Sequence, residues 1–363
     1  MPTISDVARA AGVSMSTVSY VLSGRRPISA ETQARVKAAI AELGYHPHAG
    51  ARALAGRRTN VLALVVPLRV DVNVPVIMQF VTAVVTEART YNHDVLLLTK
   101  DEGTAGLERV AGATMVDALI LMDVERDDLR IPALRRLKQP SVLIGLPADA
   151  AGLACVDLDF AGTGRECLRH LAGHGHRRIG LVGPSPAVYE RGTSYAERFL
   201  AGFTEESAAL GLDTVVHPCE PGPEGVRECL ARIDAELPGV SALVVHNEEA
   251  LPPLLEELRR SGRRVPRDLS VVAVCPRDVA VGLPVRLTSV DIPAGEVGAI
   301  AVRLAMDLLD GRTDLGTRLL PPSLVERDSC ASSGRDPAHR PGPGGERDRA
   351  VRFGREPGPQ PLA

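Results

Sequence analysis

The sequence contains no tryptophan and few other aromatic residues. Its five Phe and five Tyr give an aromatic content of 3%, so we expect a core made mainly of Ala, Val and Leu side chains. Hydrophobic residues make up 45% of the 363-residue chain and charged residues 24%, which is enough apolar material for a sizeable buried core. At about 150 residues per domain, this length predicts two or three domains.

Long apolar runs and paired cysteines are also absent. The longest apolar run, Val61 to Pro67, is far short of the ~20 residues that a membrane helix needs. No signal-peptide pattern opens the chain, so we expect a cytoplasmic protein that does not bind membranes. The six Cys residues include no C-x-x-C pair, which argues against a zinc finger or a redox motif. We interpret them as isolated small hydrophobic residues.

The net charge of −3 is unevenly distributed along the chain. Residues 1–60 carry +5, residues 330–363 carry +2, and the segment between them carries −10. A small basic head on an acidic body predicts that the head meets a polyanion.

Residues 1–45 show three short helical patterns. Thr3-Ile4-Ser5-Asp6 fits a capping box, and Gly12 ends the first pattern. Ser14 or Ser16 can cap the second helix, and Ser29 can cap the third, which ends near Gly44. Apolar residues at helical spacing predict a small core of Val7, Ala11, Val18, Val21, Val36, Ile40 and Leu43. Residues 46–60 are basic and Ala-rich, and we interpret them as a linker.

Residues 61–329 alternate short apolar runs with longer helical patterns. Such alternation predicts buried parallel strands in βαβ units, and its length favours two lobes with a cleft between them. The predicted strands are Val61–Val66, Val95–Thr99, Ala118–Met122, Ser141–Ile144, Ile179–Val182, Ala242–Val245 and Ser270–Val274. Residues 330–363 are rich in Pro and Gly and poor in apolar residues, so we expect a disordered tail.

The head carries a specific set of motifs. These are Thr3 to Ser14 (TISDVARAAGVS), Thr17-Val18-Ser19, Glu31-Thr32 and Glu42-Leu43-Gly44-Tyr45-x-Pro47, with ungapped spacing through Leu54. In these motifs the sequence resembles the LacI family of bacterial transcriptional regulators. The resemblance implies an all-α helix-turn-helix head whose second helix enters the major groove of DNA.

The resemblance also implies which residues of the head contact DNA. Met15, Ser16 and Tyr20 match the positions that read bases, although Tyr20 replaces the Arg or His of many relatives. The three hydroxyl residues Ser14, Thr17 and Ser19 are assigned to phosphates, with helix capping as the alternative. Arg26 matches a position that approaches DNA, with a solvated loop arginine as the alternative.

The linker resembles the family's hinge helix, which folds on operator DNA. Leu54 matches a leucine that wedges into the minor groove. Ala51 and Ala55 would allow a close backbone approach, whereas Gly50 replaces a frequent Val and should raise the ordering cost of the hinge.

The body resembles the family's effector domain, an α/β fold with two lobes and parallel sheets that is similar to periplasmic sugar-binding proteins. The stretches that carry the resemblance include Val116–Ile120, Gly173–Ile179, Arg198–Phe203, Val265–Val272 and Leu319–Pro322. In such folds, small ligands bind between the lobes at the carboxyl ends of the strands.

Seven residues are candidates for effector binding. Arg198 matches an Arg that forks onto ligands, Arg191 is its rival, and Asn247 matches an Asn that faces the cleft, with a loop-capping Asn as the alternative. The remaining candidates are Cys275, Arg69, Asp71 and Asn73. Cys275 stands where sugar-binding relatives carry an Asp, and a thiol is a weak acceptor. Together with the scarcity of aromatic residues, this argues against a typical sugar effector.

These observations predict a ligand-responsive regulator rather than an enzyme. We expect a repressor that binds a pseudo-palindromic operator as a homodimer and responds to a sugar or another metabolite. The alternatives are an activator, a solute-binding protein, or a cleft enzyme with a DNA-binding anchor. His170, His174 and His176 could gather on a metal, but we favour a helix-to-strand turn and predict neither a metal nor a cofactor.

Overall fold

A computed structural model describes residues 2–23, 26–45, 58–69, 72–150, 152–313 and 315–333. The head consists of three helices: α1 (Ile4–Ala11), α2 (Met15–Ser23) and α3 (Ala30–Leu43). The predicted capping box is present, because the Thr3 side chain accepts from the Asp6 amide while the Asp6 carboxylate accepts from the Thr3 amide at 2.9 Å. Ser29 caps α3, as predicted.

The small core of the head differs from the prediction at one position. Val7, Val18 and Val36 are fully buried, but Leu43 is 36% exposed and Tyr45 is buried instead. The reason lies at Gly44, which adopts a left-handed conformation (φ +57°), so that the Tyr45 amide donates back to the Ile40 carbonyl at 3.0 Å. This Schellman geometry turns the residue after the glycine onto the helix.

The first lobe contains a six-stranded parallel sheet in the order β11-β5-β4-β3-β1-β2. Its strands are β1 (Val61–Val65), β2 (Asp94–Leu98), β3 (Ala118–Leu121), β4 (Ser141–Ile144), β5 (Ala154–Leu158) and β11 (Thr317–Leu320). The helices of this lobe are α4 (Val74–Thr90), α5 (Gly103–Gly112), α6 (Ile131–Leu134) and α13 (Ala294–Leu309). Helices α4 and α13 pack on each other and share one apolar core with the sheet.

The second lobe repeats this plan with the order β12-β10-β9-β8-β6-β7, in which only β12 runs antiparallel to its neighbour. Its strands are β6 (Arg178–Gly183), β7 (Asp213–Pro218), β8 (Ala242–Val245), β9 (Ser270–Val274), β10 (Thr288–Val290) and β12 (Leu324–Val325). Its helices are α7 (Phe160–Gly173), α8 (Pro186–Glu190), α9 (Ser194–Leu210), α10 (Gly222–Glu236), α11 (Leu251–Arg260) and α12 (Arg277–Gly282).

The chain passes between the lobes three times: from β5 to α7, from β10 to α13, and from β11 to β12. All seven predicted strands are present. Five strands were not predicted, because they are short or carry polar residues: Asp157 lies within β5, and β12 has only two residues.

The second lobe extends beyond the predicted boundary at Ser329. The Ala331 amide donates to Ser270 Oγ at 3.0 Å, and the Ser333 amide donates to the His174 carbonyl at 2.8 Å. Ala331 and Ser333 of the predicted tail are therefore hydrogen-bonded to the lobe, and residues 334–363 lie outside the described residues. Among the described residues, no helix is long and apolar enough to cross a membrane.

Candidate ligand cleft and nucleic-acid interface

A cavity of about 520 Å³ lies between the two lobes. It sits at the carboxyl ends of the strands: Asp123 follows β3, Ser185 follows β6, and His246 and Asn247 follow β8. Its volume lies in the range of small-molecule sites in proteins, and its position is the one expected for parallel α/β lobes.

Aromatic side chains are concentrated at this cavity. Phe80, Phe160 and Tyr195 line it together with His246. The Phe160 and Tyr195 rings lie 5.4 Å apart, and the His246 ring lies 5.6 Å from Tyr195. The low aromatic content therefore does not argue against a ring-shaped ligand, because three of the chain's ten Phe and Tyr residues line the cavity.

The charged residues that line the cavity are mostly acidic. Arg191 lines it together with five carboxylates, namely Asp123, Asp157, Glu220, Glu248 and Glu249. Burial raises the pKa of Glu248 to about 7. The lining therefore presents several carboxyl groups that can accept hydrogen bonds from a ligand.

Asp123 binds two of the arginines that the sequence suggested as effector ligands. Arg191 Nη1 lies 3.1 Å from Asp123 Oδ2, and Arg69 contacts the same oxygen. Arg69 also binds Asp101, with 2.9 Å between Nη2 and Oδ2. Arg69 is not among the lining residues, so its role is to hold Asp123, whereas Arg191 lies at the cavity surface.

Arg198 lies behind the wall of the cavity. Its guanidinium binds the Asp157 carboxylate, its Nε donates to Ser194 Oγ at 3.2 Å, and its charge lies 5.5 Å from the Phe160 ring centre. Burial raises the pKa of Asp157 to about 6, while the Arg198 charge acts in the opposite direction. The structure thus places Asp157 at the cavity, with Arg198 as its support.

Asn247 lies where both interpretations of its role place it. It lines the cavity, and its Oδ1 also accepts from the Ala250 amide at 3.3 Å. Its Nδ2 lies 3.2 Å from the carbonyls of both Gly183 and Cys219. Asn247 therefore ties together the ends of three neighbouring strands. Asn73 also lines the cavity and caps α4 by accepting from the Val76 amide at 3.2 Å.

The prediction for Cys275 is wrong. Its side chain is fully buried in the core of the second lobe, in the same apolar cluster as Leu251 and Ala273, and it does not line the cavity. A thiol at this position therefore does not argue against a sugar ligand. Asp71 lies outside the described residues.

Sequence reasoning missed several polar groups of the cavity. Ser185 Oγ and His246 Nδ1 are buried and have no hydrogen-bond partner among the described residues, which is unusual for buried polar atoms. Burial lowers the pKa of His246 to about 3, so this ring is neutral. His246 directly follows a predicted strand and Ser185 lies three residues beyond the end of another, so a search of the strand ends would have found both.

The head exposes the N-terminal end of α2. Ser14 caps this helix by accepting from the Thr17 amide at 3.1 Å, and its Oγ lies 2.8 Å from Ser16 Oγ. Met15 is 55% exposed, while Val18 is fully buried against α1 and α3. Met15 and Ser16 therefore lie on the exposed side of this helix, and Val18 faces the core of the head.

Of the remaining predicted DNA contacts, those in the head are described by the structure and those in the linker are not. Ser19 and Tyr20 are half-buried, and the Arg26 guanidinium lies 5.8 Å from the Tyr20 ring centre. Ala51, Leu54 and Ala55 of the linker lie outside the described residues.

Comparison with known proteins gives the family. Residues 3–48 match a family model described as bacterial regulatory proteins, lacI family, and residues 168–330 match a periplasmic binding protein-like domain. The chain is 34% identical over 341 residues to the HTH-type transcriptional regulator CelR of Thermobifida fusca, which covers 90% of this chain and 98% of CelR. The chain belongs to the LacI family. It is a transcriptional regulator and not an enzyme.

Other relatives agree with this assignment. This LacI-family chain is 28% identical to the transcriptional regulator GalR of Escherichia coli K12, with 93% of this chain and 98% of GalR covered. A structure of a CelR–cellobiose complex superposes with a TM-score of 0.65 at 30% identity, over 91% of this chain and all of the other. A lac repressor dimer bound to operator and the anti-inducer ONPF has a TM-score of 0.76 at 24% identity, over 91% and 99%, which supports the fold.

Proposed function

We propose that this LacI-family regulator binds a pseudo-palindromic operator as a homodimer and represses transcription. A small molecule in the cleft between its lobes would change its operator affinity. The cavity supports control by a small molecule, because residues of both lobes line it. A ligand that contacts both lobes binds one relative arrangement better than another and shifts the equilibrium between them.

The exposed start of α2 supports the DNA-binding half. Met15 and Ser16 lie at the solvent-facing end of the helix, where the family reads base edges, and the amides of this first turn favour a phosphate nearby. The +5 charge of residues 1–60 supplies a further attraction to DNA. The lac repressor relative is bound to its operator as a dimer, and we extend that arrangement to this chain. Such a regulator acts in the bacterial cytoplasm, where its operator lies.

The lining of the cavity favours a neutral, hydroxyl-rich or an amine-bearing effector. Its carboxylates accept hydrogen bonds from hydroxyl and ammonium groups, whereas a phosphate or carboxylate ligand would meet charges of its own sign. Phe80, Phe160 and Tyr195 can cover the apolar face of a ring. The CelR relative was solved with cellobiose, which makes neutral saccharides the first compounds to examine.

The decisive experiment is genome-wide footprinting of the purified full-length protein, alone and with a compound panel. The panel contains cellobiose and other neutral saccharides, amino sugars, sugar phosphates and organic acids. We expect palindromic footprints that change with a neutral or amine-bearing compound. Footprints that lack a palindrome would contradict the dimeric operator model, and a response to anionic compounds alone would contradict the effector class. The sign of the response shows whether the effector releases the protein from its operator or promotes its binding.

A variant links the response to the cavity. Glu248→Gln keeps the shape of a lining residue and removes its carboxylate, so it should weaken effector binding while operator binding without effector stays unchanged. Glu236→Gln is the matched control, because Glu236 is exposed and does not line the cavity.

A further inference from the structure

Two histidines and a glutamate meet on the second lobe, outside the ligand cavity. His170 and His174 are four residues apart at the C-terminal end of α7, so their side chains share one face. Glu326 directly follows β12. One side-chain ligand atom of each residue lies within 4.8 Å of the other two.

His174 is oriented like a metal ligand. Its Nδ1 lies 2.9 Å from the His170 carbonyl and donates to it, which leaves the lone pair on Nε2. That Nε2 lies 3.3 Å from Glu326 Oε1. Metal-binding histidines are commonly fixed in this way, with one ring nitrogen hydrogen-bonded to a carbonyl and the other facing the ion.

His170 supplies a buried nitrogen without a partner. Its Nε2 has no hydrogen bond among the described residues, although buried polar atoms rarely lack one. The two imidazole rings lie 4.5 Å apart.

His176 does not join this cluster. Its Nδ1 lies 2.9 Å from Ser241 Oγ, and its Nε2 lies 3.0 Å from both Ser270 Oγ and the Ala331 carbonyl. Of the three histidines, His176 is therefore hydrogen-bonded within the lobe, whereas His170 and His174 lie next to Glu326.

We propose that His170, His174 and Glu326 bind a divalent transition-metal ion of the zinc class. Imidazole nitrogens favour zinc, cobalt, nickel and copper over magnesium and calcium. Bonds of about 2.0–2.1 Å in a tetrahedral site place neighbouring ligands about 3.3 Å apart, which is the distance between His174 Nε2 and Glu326 Oε1. The Glu326 side chain is mostly exposed and can rotate toward both rings, while water would complete the coordination.

Such an ion would join α7 to the segment that follows β12. That segment already contacts the helix, because the Ser333 amide donates to the His174 carbonyl at 2.8 Å. Because the ion binds the folded lobe, it should raise the unfolding temperature of the protein by mass action.

The test is zinc titration of the full-length, tag-free protein after chelator treatment, followed by calorimetry. We expect one zinc site that is weakened at least about tenfold by His174→Gln and by Glu326→Gln. His217→Gln is the matched control, because His217 Nε2 also faces a glutamate, at 3.2 Å from Glu236 Oε2, but lies in no three-residue cluster of the described chain. This variant should bind zinc like the wild type.

Two results would overturn the proposal. Zinc affinity that is unchanged in both His174→Gln and Glu326→Gln would place the ion elsewhere on the chain. No zinc binding by the wild type at about 100 µM would leave His174 and Glu326 as an ion pair only. If His174→Gln fails to fold, Glu326→Gln decides the question, because Glu326 is exposed. The proposal then predicts that cobalt added to Glu326→Gln lacks the visible absorption that it shows when bound to the wild type.

Discussion

Arg191 of the second lobe binds Asp123 of the first lobe at the edge of the ligand cavity, with 3.1 Å between Nη1 and Oδ2. Backbone contacts flank this ion pair: Glu125 and Thr193 form an isolated β-bridge, and the Arg126 amide donates to the Gly192 carbonyl at 2.8 Å. The pair is mostly buried, so salt screens it less than a surface pair. An ion pair therefore links the two lobes at the cavity in which a ligand would bind.

Arg191→Ala should weaken effector binding about tenfold, because it leaves Asp123 with one cation fewer and removes a link between the lobes. Calorimetry with the compound identified by footprinting measures the affinity. Arg126→Ala is the control: Arg126 is exposed and lies 3.8 Å from Glu197, so its loss removes a weaker, solvated pair between the lobes. Equal affinities of wild type and Arg191→Ala would show that this ion pair does not support the bound state.

The architecture could be predicted from sequence because hydrophobic periodicity governs it. Helix caps at Thr3 and Ser29 and the apolar strands were correct, since each depends on neighbouring residues. Leu43 and Tyr45 were not, because the backbone conformation at Gly44 decides which of them faces the core. A three-residue strand such as β10 is likewise defined by its sheet neighbours.

The site was predicted less well because it depends on contacts between distant segments. Arg69 and Arg198 are near the cavity, yet each is turned onto a carboxylate that lies more than 40 residues away. Asn247 was placed correctly, since its position follows from the end of a strand. Cys275 also follows a strand, but its side chain faces the core of the lobe, and the sequence alone does not give that orientation.

The Ser14 hydroxyl caps α2, and this role can be separated from a contact with DNA. Ser14→Ala removes the cap and should lower the stability of the head by about 1 kcal/mol. Ser14→Asp keeps a capping oxygen but adds a negative charge, so it should preserve the fold and weaken operator binding if a phosphate lies nearby. Thermal unfolding and operator titration measure the two effects. Wild-type operator affinity in Ser14→Asp would assign Ser14 to capping alone.

Leu54 remains the predicted minor-groove wedge. Leu54→Ala should abolish tight operator binding while leaving weak, salt-sensitive binding, because phosphate contacts persist when the wedge is lost. Titrations of operator and of random DNA at several salt concentrations separate the two modes. Leu43→Ala is a suitable control, since Leu43 is an exposed leucine of the head outside the linker. Specific affinity that survives in Leu54→Ala would refute the wedge.

Gly202 allows α7 and α9 to pack at close range. A Cβ at Gly202 would collide with the backbone of Ala161, and one at Gly164 would collide with the backbone of Phe199 and Phe203. Gly202→Ala should therefore destabilise the second lobe by about 2–3 kcal/mol. Gly173→Ala at the end of α7 meets nothing within 4 Å and should be neutral or stabilising by up to about 1 kcal/mol. Urea unfolding that ranks the two variants equally would contradict this packing argument.

His246 should make the protein less stable in mild acid. It lies among aromatic rings, with the Phe199 ring centre at 4.3 Å, and burial lowers its pKa to about 3 from an ordinary value of 6.5. Between these values the unfolded chain binds the proton more readily than the folded chain, so the free energy of unfolding falls as the pH drops from 7 to 5. His246→Leu should reduce that fall by on the order of 1–2 kcal/mol.

Phe199→Leu, which loosens the same cluster without removing a titrating group, should lower stability by a similar amount at both pH values. Urea unfolding at pH 7 and pH 5 gives the comparison, and an equal fall in wild type and His246→Leu would assign the acid sensitivity to other groups.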